Sequence, residues 1–210
     1  SKDTPTINVD LMFDDFNLEP LNPFGEDVIT NIRGLVKGQA KVSGNLNRPS
    51  IDGHLSLDQA GLKIPYLNVD YAFQDQASVS LRNQSFIFNN VAFTDSDFDS
   101  TARLNGSISH VNFSDWSLDL DIATDKLLVL NTKRDDDVLY YGTGFIGGNA
   151  TIKGPTDQLV ISVDGQTRDG TVFKIPLTDT ESFGDNSFIH FLTKEEKESK
   201  LSGKDIVLND

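Results

Sequence analysis

Residues Gly38–Pro65 read GQAKVSGNLNRPSIDGHLSLDQAGLKIP, and the chain uses the ends of this stretch twice. Gly38, Ala40, Val42 and Gly44 return as Gly148, Ala150, Ile152 and Gly154, each 110 positions later (148 − 38 = 110). Lys63-Ile64-Pro65 returns as Lys174-Ile175-Pro176 at 111 (174 − 63 = 111), and a shorter echo, Ala102, Leu104 and Gly106, lies between the copies. In each copy the small and apolar residues keep one parity. Lys37, Gln39, Lys41 and Ser43, then Thr101, Arg103 and Asn105, then Asn149, Thr151 and Lys153, keep the other. A period of two marks a β-strand, and the polar parity leaves one of its faces wet.

The same habit extends outward from the repeat. Thr6–Phe13 alternates as a strand; Phe16, Leu18, Leu21 and Phe24 then punctuate a stretch holding Pro20, Pro23 and Gly25, which predicts a covering turn or short helical piece. Ile51, Leu55 and Leu57 oppose Asp52, His54, Ser56 and Asp58, and a further strand is expected where Leu67, Val69, Tyr71 and Phe73 oppose Asn68, Asp70, Ala72 and Gln74. Ala77, Val79 and Leu81 oppose Ser78, Ser80 and Arg82; Leu118, Leu120 and Ile122 oppose Ser117, Asp119 and Asp121; Leu159, Ile161 and Val163 continue the pattern. Gly, Asn, Asp and Pro fill the gaps, as tight turns between strands require. Thr193 and Glu196 form a capping box ahead of KEEKESK, so at most one short helix is expected, near the end. These readings divide the chain into a leading strand and turn over 1–30, a continuous β-structure over 31–192, and a short helix with the start of another strand over 193–210.

Composition narrows the functions. A formal charge of −14 excludes nucleic acid as a partner and disfavours anionic membrane surfaces. There is no cysteine, so no disulfide framework and no thiolate metal site. No apolar run reaches membrane-helix length, and Ser1 and Asp210 read as cut points within a longer polypeptide.

No enzymatic constellation is complete, so the reading is not an enzyme and calls for no cofactor. His54, His110 and His190 stand apart and read as surface or strand polar residues. TDSDFDS, with Asp95, Asp97 and Asp99, imitates a calcium loop, but Ser100 stands where the loop needs Gly and Gly106 where it needs Glu, so a solvated turn is expected. Asp135, Asp136 and Asp137 read as an exposed loop, and weak cation binding at either cluster stays open. Gly142, Gly144, Gly147 and Gly148 sit in a strand pattern rather than ahead of a helix. Their use is a bend or a close approach, not a phosphate cradle.

With almost no helices to cover them, the apolar faces have three destinations: a sandwich, a closed barrel or a curled open sheet. Alternation does not choose among these. Fourteen phenylalanines against one tryptophan and one methionine suit a hydrocarbon lining, and a sandwich core equally.

A resemblance decides further. GxAxVxG followed by Pro, IxGxLxLxxAGLKIPYLNVDYxF, NGSISHxNFxDWxLDLDI, LYYGTGFIGGxAxIKGPTDxLxIxVD, GTVFKIPL and GDNSFIHFL together resemble the TamB family of the AsmA-like group, in its Bacteroidota-like form, over roughly 31–192. The resemblance implies an all-β curled open sheet, a β-taco with an apolar interior. It further implies the periplasm of a diderm bacterium, an inner-membrane anchor outside this chain, phospholipid acyl chains as cargo, and a TamA-like or BamA-like barrel insertase as partner through parts of the protein absent here.

The lining expected on this reading is Ile51, Leu55, Leu57, Leu67, Val69, Tyr71, Phe73, Val79, Leu81, Leu118, Leu120, Ile122, Ile161 and Val163. Leu120→Asp or Val69→Asp is expected to block lipid transport without unfolding the sheet. The alternative function is a scaffold that assists outer-membrane barrel proteins by pairing with client strands at its open edge. A closed sandwich acting as an adhesin has only Trp116 and the pair Tyr140-Tyr141 as candidate contact aromatics.

Overall fold

Alternation along these segments is realised as strands throughout a computed structural model, which describes residues 5–25, 28–134 and 140–175. The strands are β1 (Thr6–Asn17), β2 (Thr30–Asn45), β3 (Ser50–Ile64), β4 (Val69–Phe73), β5 (Ala77–Arg82), β6 (Ser85–Asp95), β7 (Thr101–Val111), β8 (Ser114–Thr132), β9 (Tyr141–Pro155), β10 (Val160–Thr167) and β11 (Val172–Lys174). They form one antiparallel sheet in the order β1-β2-β3-β4-β6-β7-β8-β9-β10. β5 also lies between β3 and β6, so β4 and β5 form one interrupted strand, and β11 pairs β9. Chain neighbours are sheet neighbours because tight turns allow only antiparallel pairing. β1 and β10 end the sheet and do not pair with each other, so it is a curled open sheet and not a closed barrel.

The described helical residues are two 3-10 pieces. Glu19–Gly25 is the expected covering turn, pinned to β2 by Asn22, whose Nδ2 donates to the Ile32 carbonyl at 2.8 Å while its Oδ1 accepts from the Ile32 N–H at 2.8 Å. Pro65–Leu67 is the second, closed by Asn68 in the left-handed region. Leu67 is therefore not a strand residue: Pro65 cannot continue the β3 ladder, and β4 starts at Val69. Leu67 still packs against the core. The capping box at Thr193 and Glu196 with its helix, His190, the GDNSFIHFL motif and Asp135, Asp136 and Asp137 lie outside the described residues.

Register lays the apolar parity across the whole sheet. Phe13, Gly38, Leu55, Val79, Phe88, Gly106, Leu120, Ile152 and Ile161 form one row from edge to edge. Leu11, Ala40, Gly53, Leu81, Phe86, Ile108, Leu118 and Gly154 form the next.

The repeat is also a repeat of structure. Val42↔Ile51 and Ala40↔Gly53 in β2–β3 become Ile152↔Ile161 and Ala150↔Val163 in β9–β10. Thr30↔Lys63 becomes Tyr141↔Lys174, and the irregularity between Phe13 and Phe16 of β1 returns between Thr124 and Leu127 of β8.

Curling follows from breaks at adjoining rows. Register shifts occur between Phe13 and Phe16, Arg33 and Leu35, and Phe88 and Val91, with Asp15, Gln59 and Asn90 in the left-handed region beside them. Each such bulge bends its strand and increases the local twist. The result brings β4 against β8, three sheet positions away. There Val69, Tyr71, Phe93, Leu104, Leu127, Leu128 and Phe145 belong to one buried apolar cluster.

Candidate functional site

The apolar face is a trough, and its middle and its flanks differ. Val69, Tyr71, Val79, Leu81 and Leu120, all expected as lining, are buried against the trough's own walls, Val69 completely at 0% exposure. Ile51, Leu55, Leu57, Leu67, Phe73, Leu118 and Ile122 are half-buried. Ile161 and Val163 on β10 are 64% and 58% exposed. Register and packing place these fourteen residues on one continuous face. The open apolar surface lies along Ile161 and Val163 of β10 and, at the opposite edge, along Val9 and Leu11 of β1.

This placement corrects the expected test. Val69 has no access to water, so a carboxylate there would be buried without a partner and would unfold the sheet. Leu120, in the same cluster, behaves likewise. The charge belongs at Ile161, Val163 or Leu55.

Two sets of hydrogen bonds tie the curl at its ends. At one end the Tyr71 hydroxyl donates to the Leu128 carbonyl at 2.7 Å, Asn68 Nδ2 donates to the Asn131 carbonyl at 2.7 Å, and the Tyr66 and Tyr140 hydroxyls meet at 2.9 Å. Burial first, and then the nearby Asp95, push the Tyr71 pKa upward, so it remains a donor. At the other end three hairpin tips are sewn together. Asn112 Nδ2 donates to the Asn47 carbonyl at 2.7 Å, the Asn112 N–H to Gln84 Oε1 at 2.6 Å, and Gln84 Nε2 to the Pro49 carbonyl at 3.0 Å.

The calcium-like sequence resolves into a structural clip. Asp95 is 1% exposed rather than solvated, and it accepts from the backbone N–H groups of Asp97, Phe98 and Ser100 and from the Ser100 hydroxyl. Ser100 Oγ in turn accepts from the Leu128 N–H at 2.7 Å, linking the turn to β8. Asp97 and Asp99 point outward, and no acidic or histidine group among the described residues is arranged to hold a metal ion.

His54 is on the wet face as expected, 3.5 Å from Ser80 Oγ. His110 is not a surface residue. It is buried on the apolar parity of β7, stacked on Phe113 at 4.4 Å and beside Trp116 and Phe86. Its Nδ1 accepts from the Phe113 N–H at 3.0 Å, and desolvation lowers its pKa, so the ring is neutral at pH 7.

Sequence reading passed over Phe88 and Ile108, which share the apolar rows. The Asn89-Asn90 bulge flips parity in β6, so Phe86 and Phe88 and then Val91 and Phe93 face one way with no unbroken alternation to reveal it.

Comparison with characterised families decides what this trough belongs to. The model of a family described as the TamB C-terminal domain matches residues 89–208, more than half of the chain. The chain belongs to the TamB family. Comparison with the curated proteins and with the solved structures gives no match. The TamB match begins inside β6 and takes in β7 to β11, the half that holds most of the buried cluster, though not Val69 and Tyr71, and the exposed β10 flank. Membership makes this a segment of a TamB-like protein of envelope biogenesis, in lipid or protein transport in the broad sense. No helix among the described residues is long and apolar enough to cross a membrane.

Proposed function

We propose that this TamB-family segment carries phospholipid acyl chains through the periplasm along its apolar trough, as one stage of a conduit anchored in the inner membrane and meeting a barrel insertase through other parts of the protein. The observation that supports it is the apolar row from Phe13 on β1 to Ile161 on β10, continuous across every strand on its path and exposed at its β10 end. An acyl chain laid on such a row gains about 0.8 kcal/mol per methylene shielded from water. The gain grows with the length of chain covered, so a trough that shelters a large part of an acyl chain offsets a corresponding share of the cost of leaving a bilayer. The wet face, with Lys37 paired to Asp15 at 3.0 Å and Lys153 to Asp119 at 2.9 Å, keeps the sheet in solution and leaves headgroups outside. Such a trough needs no catalytic group and no cofactor, and it reads chain hydrophobicity rather than headgroup identity.

Mass spectrometry of the natively purified protein tests this. Phospholipid is expected to co-purify, and Ile161→Asp combined with Val163→Asp is expected to keep the fold, by circular dichroism, while reducing bound lipid several-fold. A folded wild-type protein free of lipid, or a double variant that retains it, would overturn the reading.

A further inference from the structure

His110 sits beside the hairpin tips that are sewn together, and one lone pair on its ring holds the tip between β7 and β8 in place. Its own N–H donates to the Gln84 carbonyl at 2.9 Å, and its Nδ1 accepts from the Phe113 N–H at 3.0 Å. Phe113 lies flat on the imidazole, with ring centroids 4.4 Å apart, while remaining 63% exposed. The tip is wound against preference: Asn112, Phe113 and Asp115 all hold positive φ, a region that costs any residue with a Cβ. It also carries the Asn112 bonds to Asn47 and Gln84 that tie it to its neighbours.

We propose that His110 is a proton-operated latch on this tip: protonating its ring releases Phe113 and loosens the ties that close this end of the curl. The inference rests on the fold and not on what the trough carries. A bond accepted from the Phe113 N–H fixes the neutral tautomer with its proton on Nε2, so Nδ1 is the atom that takes up a further proton. The proton and the Phe113 N–H compete for that one lone pair. The imidazolium is a donor at both nitrogens, so the bond to Phe113 is lost when it forms.

The surroundings do not compensate the charge. Phe86 of β6 and Trp116 of β8 complete the cage, 5.8 and 4.8 Å from the ring. The charged groups on the neighbouring strands and tips are Arg48, Asp52, Arg82, Asp115, Asp119 and Asp157; all are exposed, and it is burial that lowers the His110 pKa. A group whose pKa is lower folded than unfolded gives stability that is complete above its unfolded value, about 6.5, and lost as the pH falls toward the folded one. The latch therefore holds at neutral pH and opens on acidification.

Trp116 is the only tryptophan in the chain and lies against the latch, so it reports the opening. The test is acrylamide quenching of its fluorescence lifetime in the whole chain from about pH 7.5 to about pH 4.5, a range that spans histidine titration. The quenching constant is expected to rise at least about twofold, reversibly, with a midpoint below about 6.5 and unchanged far-ultraviolet circular dichroism. His110→Phe, which keeps a ring but takes no proton, and His110→Gln, which keeps an acceptor, are expected to abolish the rise; Asp115→Asn is expected to preserve it. In the wild-type protein, protection of the Phe113 amide, corrected for the intrinsic pH dependence of exchange, is expected to fall at least about tenfold over the same range while that of Leu128 holds. A flat quenching constant, a rise that survives in both His110 variants, or one that accompanies loss of the dichroism would overturn the proposal. Steady protection of Phe113, or a rise abolished by Asp115→Asn, would overturn it as well.

Discussion

Gly38 and Gly148 stand at the same place in two copies of one hairpin, and the backbone treats them alike. Both hold φ at +142°, and a Cβ built on either would lie 2.2 Å from a carbonyl oxygen of the neighbouring strand, that of His54 or of Asp164. Gly148→Ala is therefore expected to destabilise the protein by about 1–3 kcal/mol through strain alone, with the steric conflict in addition. Gly44→Ala, at φ +96° but with nothing within 4 Å, is expected to show only the strain, and urea unfolding of the two variants measures the difference.

Asp70 is a second residue whose surroundings make a number move. Burial pushes its carboxyl up, but hydrogen bonds from Arg33, Asn31 and Ser96 and the Arg33 charge outweigh it and hold its pKa below the ordinary value. Arg33 grips both carboxylate oxygens, at 2.6 and 3.1 Å. A group whose pKa is lower folded than unfolded adds stability above its unfolded value, about 3.9, which is lost as the pH falls through the folded value. The melting temperature of wild type is expected to fall more steeply below about pH 4 than that of Asp70→Asn, a difference kept modest by partial exposure of the pair.

Among the elements, β4 and β8 decide whether the sheet curls, since they meet across the trough with the Tyr71 hydroxyl on the Leu128 carbonyl. Tyr71→Phe keeps the buried ring and strands that carbonyl, and is expected to cost about 1–2 kcal/mol in thermal or chemical denaturation. The strands themselves were legible because alternation needs only a period of two, and Gly38–Pro65 carried enough of it to fix strand, parity and repeat together. What alternation did not carry was the curl. That depends on the bulges at Asp15, Gln59 and Asn90, where one extra residue flips the parity, and a sequence shows this only as a lapse in the pattern. Asp95, and the surface half of the reading of His110, were misjudged for a related reason. Each is polar by type, but His110 is satisfied by the Phe113 N–H and Asp95 by its own turn, and short-range hydrogen bonds of this kind let polar groups be buried where composition predicts exposure.

Over the whole molecule the same face is sealed in the middle and bare at its margins, and the candidate site divides accordingly. The fourteen expected lining residues could be drawn from the sequence as a face, but not sorted into wall and floor. Sorting depends on which strands the curl brings together, as with Val69 and Leu128 at 0% exposure and Ile161 at 64%. Local opening free energy follows buried apolar packing, so amide exchange should map this division directly. Val69–Phe73, Val91–Asp95 and Leu127–Leu130 are expected to exchange slowest and Val160–Thr167 fastest. Titrating in a lysophospholipid below its micelle concentration should then slow exchange along β10 and β1 while leaving the β4–β8 core unchanged, because only the flanks have surface to offer an acyl chain. Protection that appeared first in the core would mean that the curl opens to take its guest inside. Protection nowhere would leave the apolar flanks to protein partners alone.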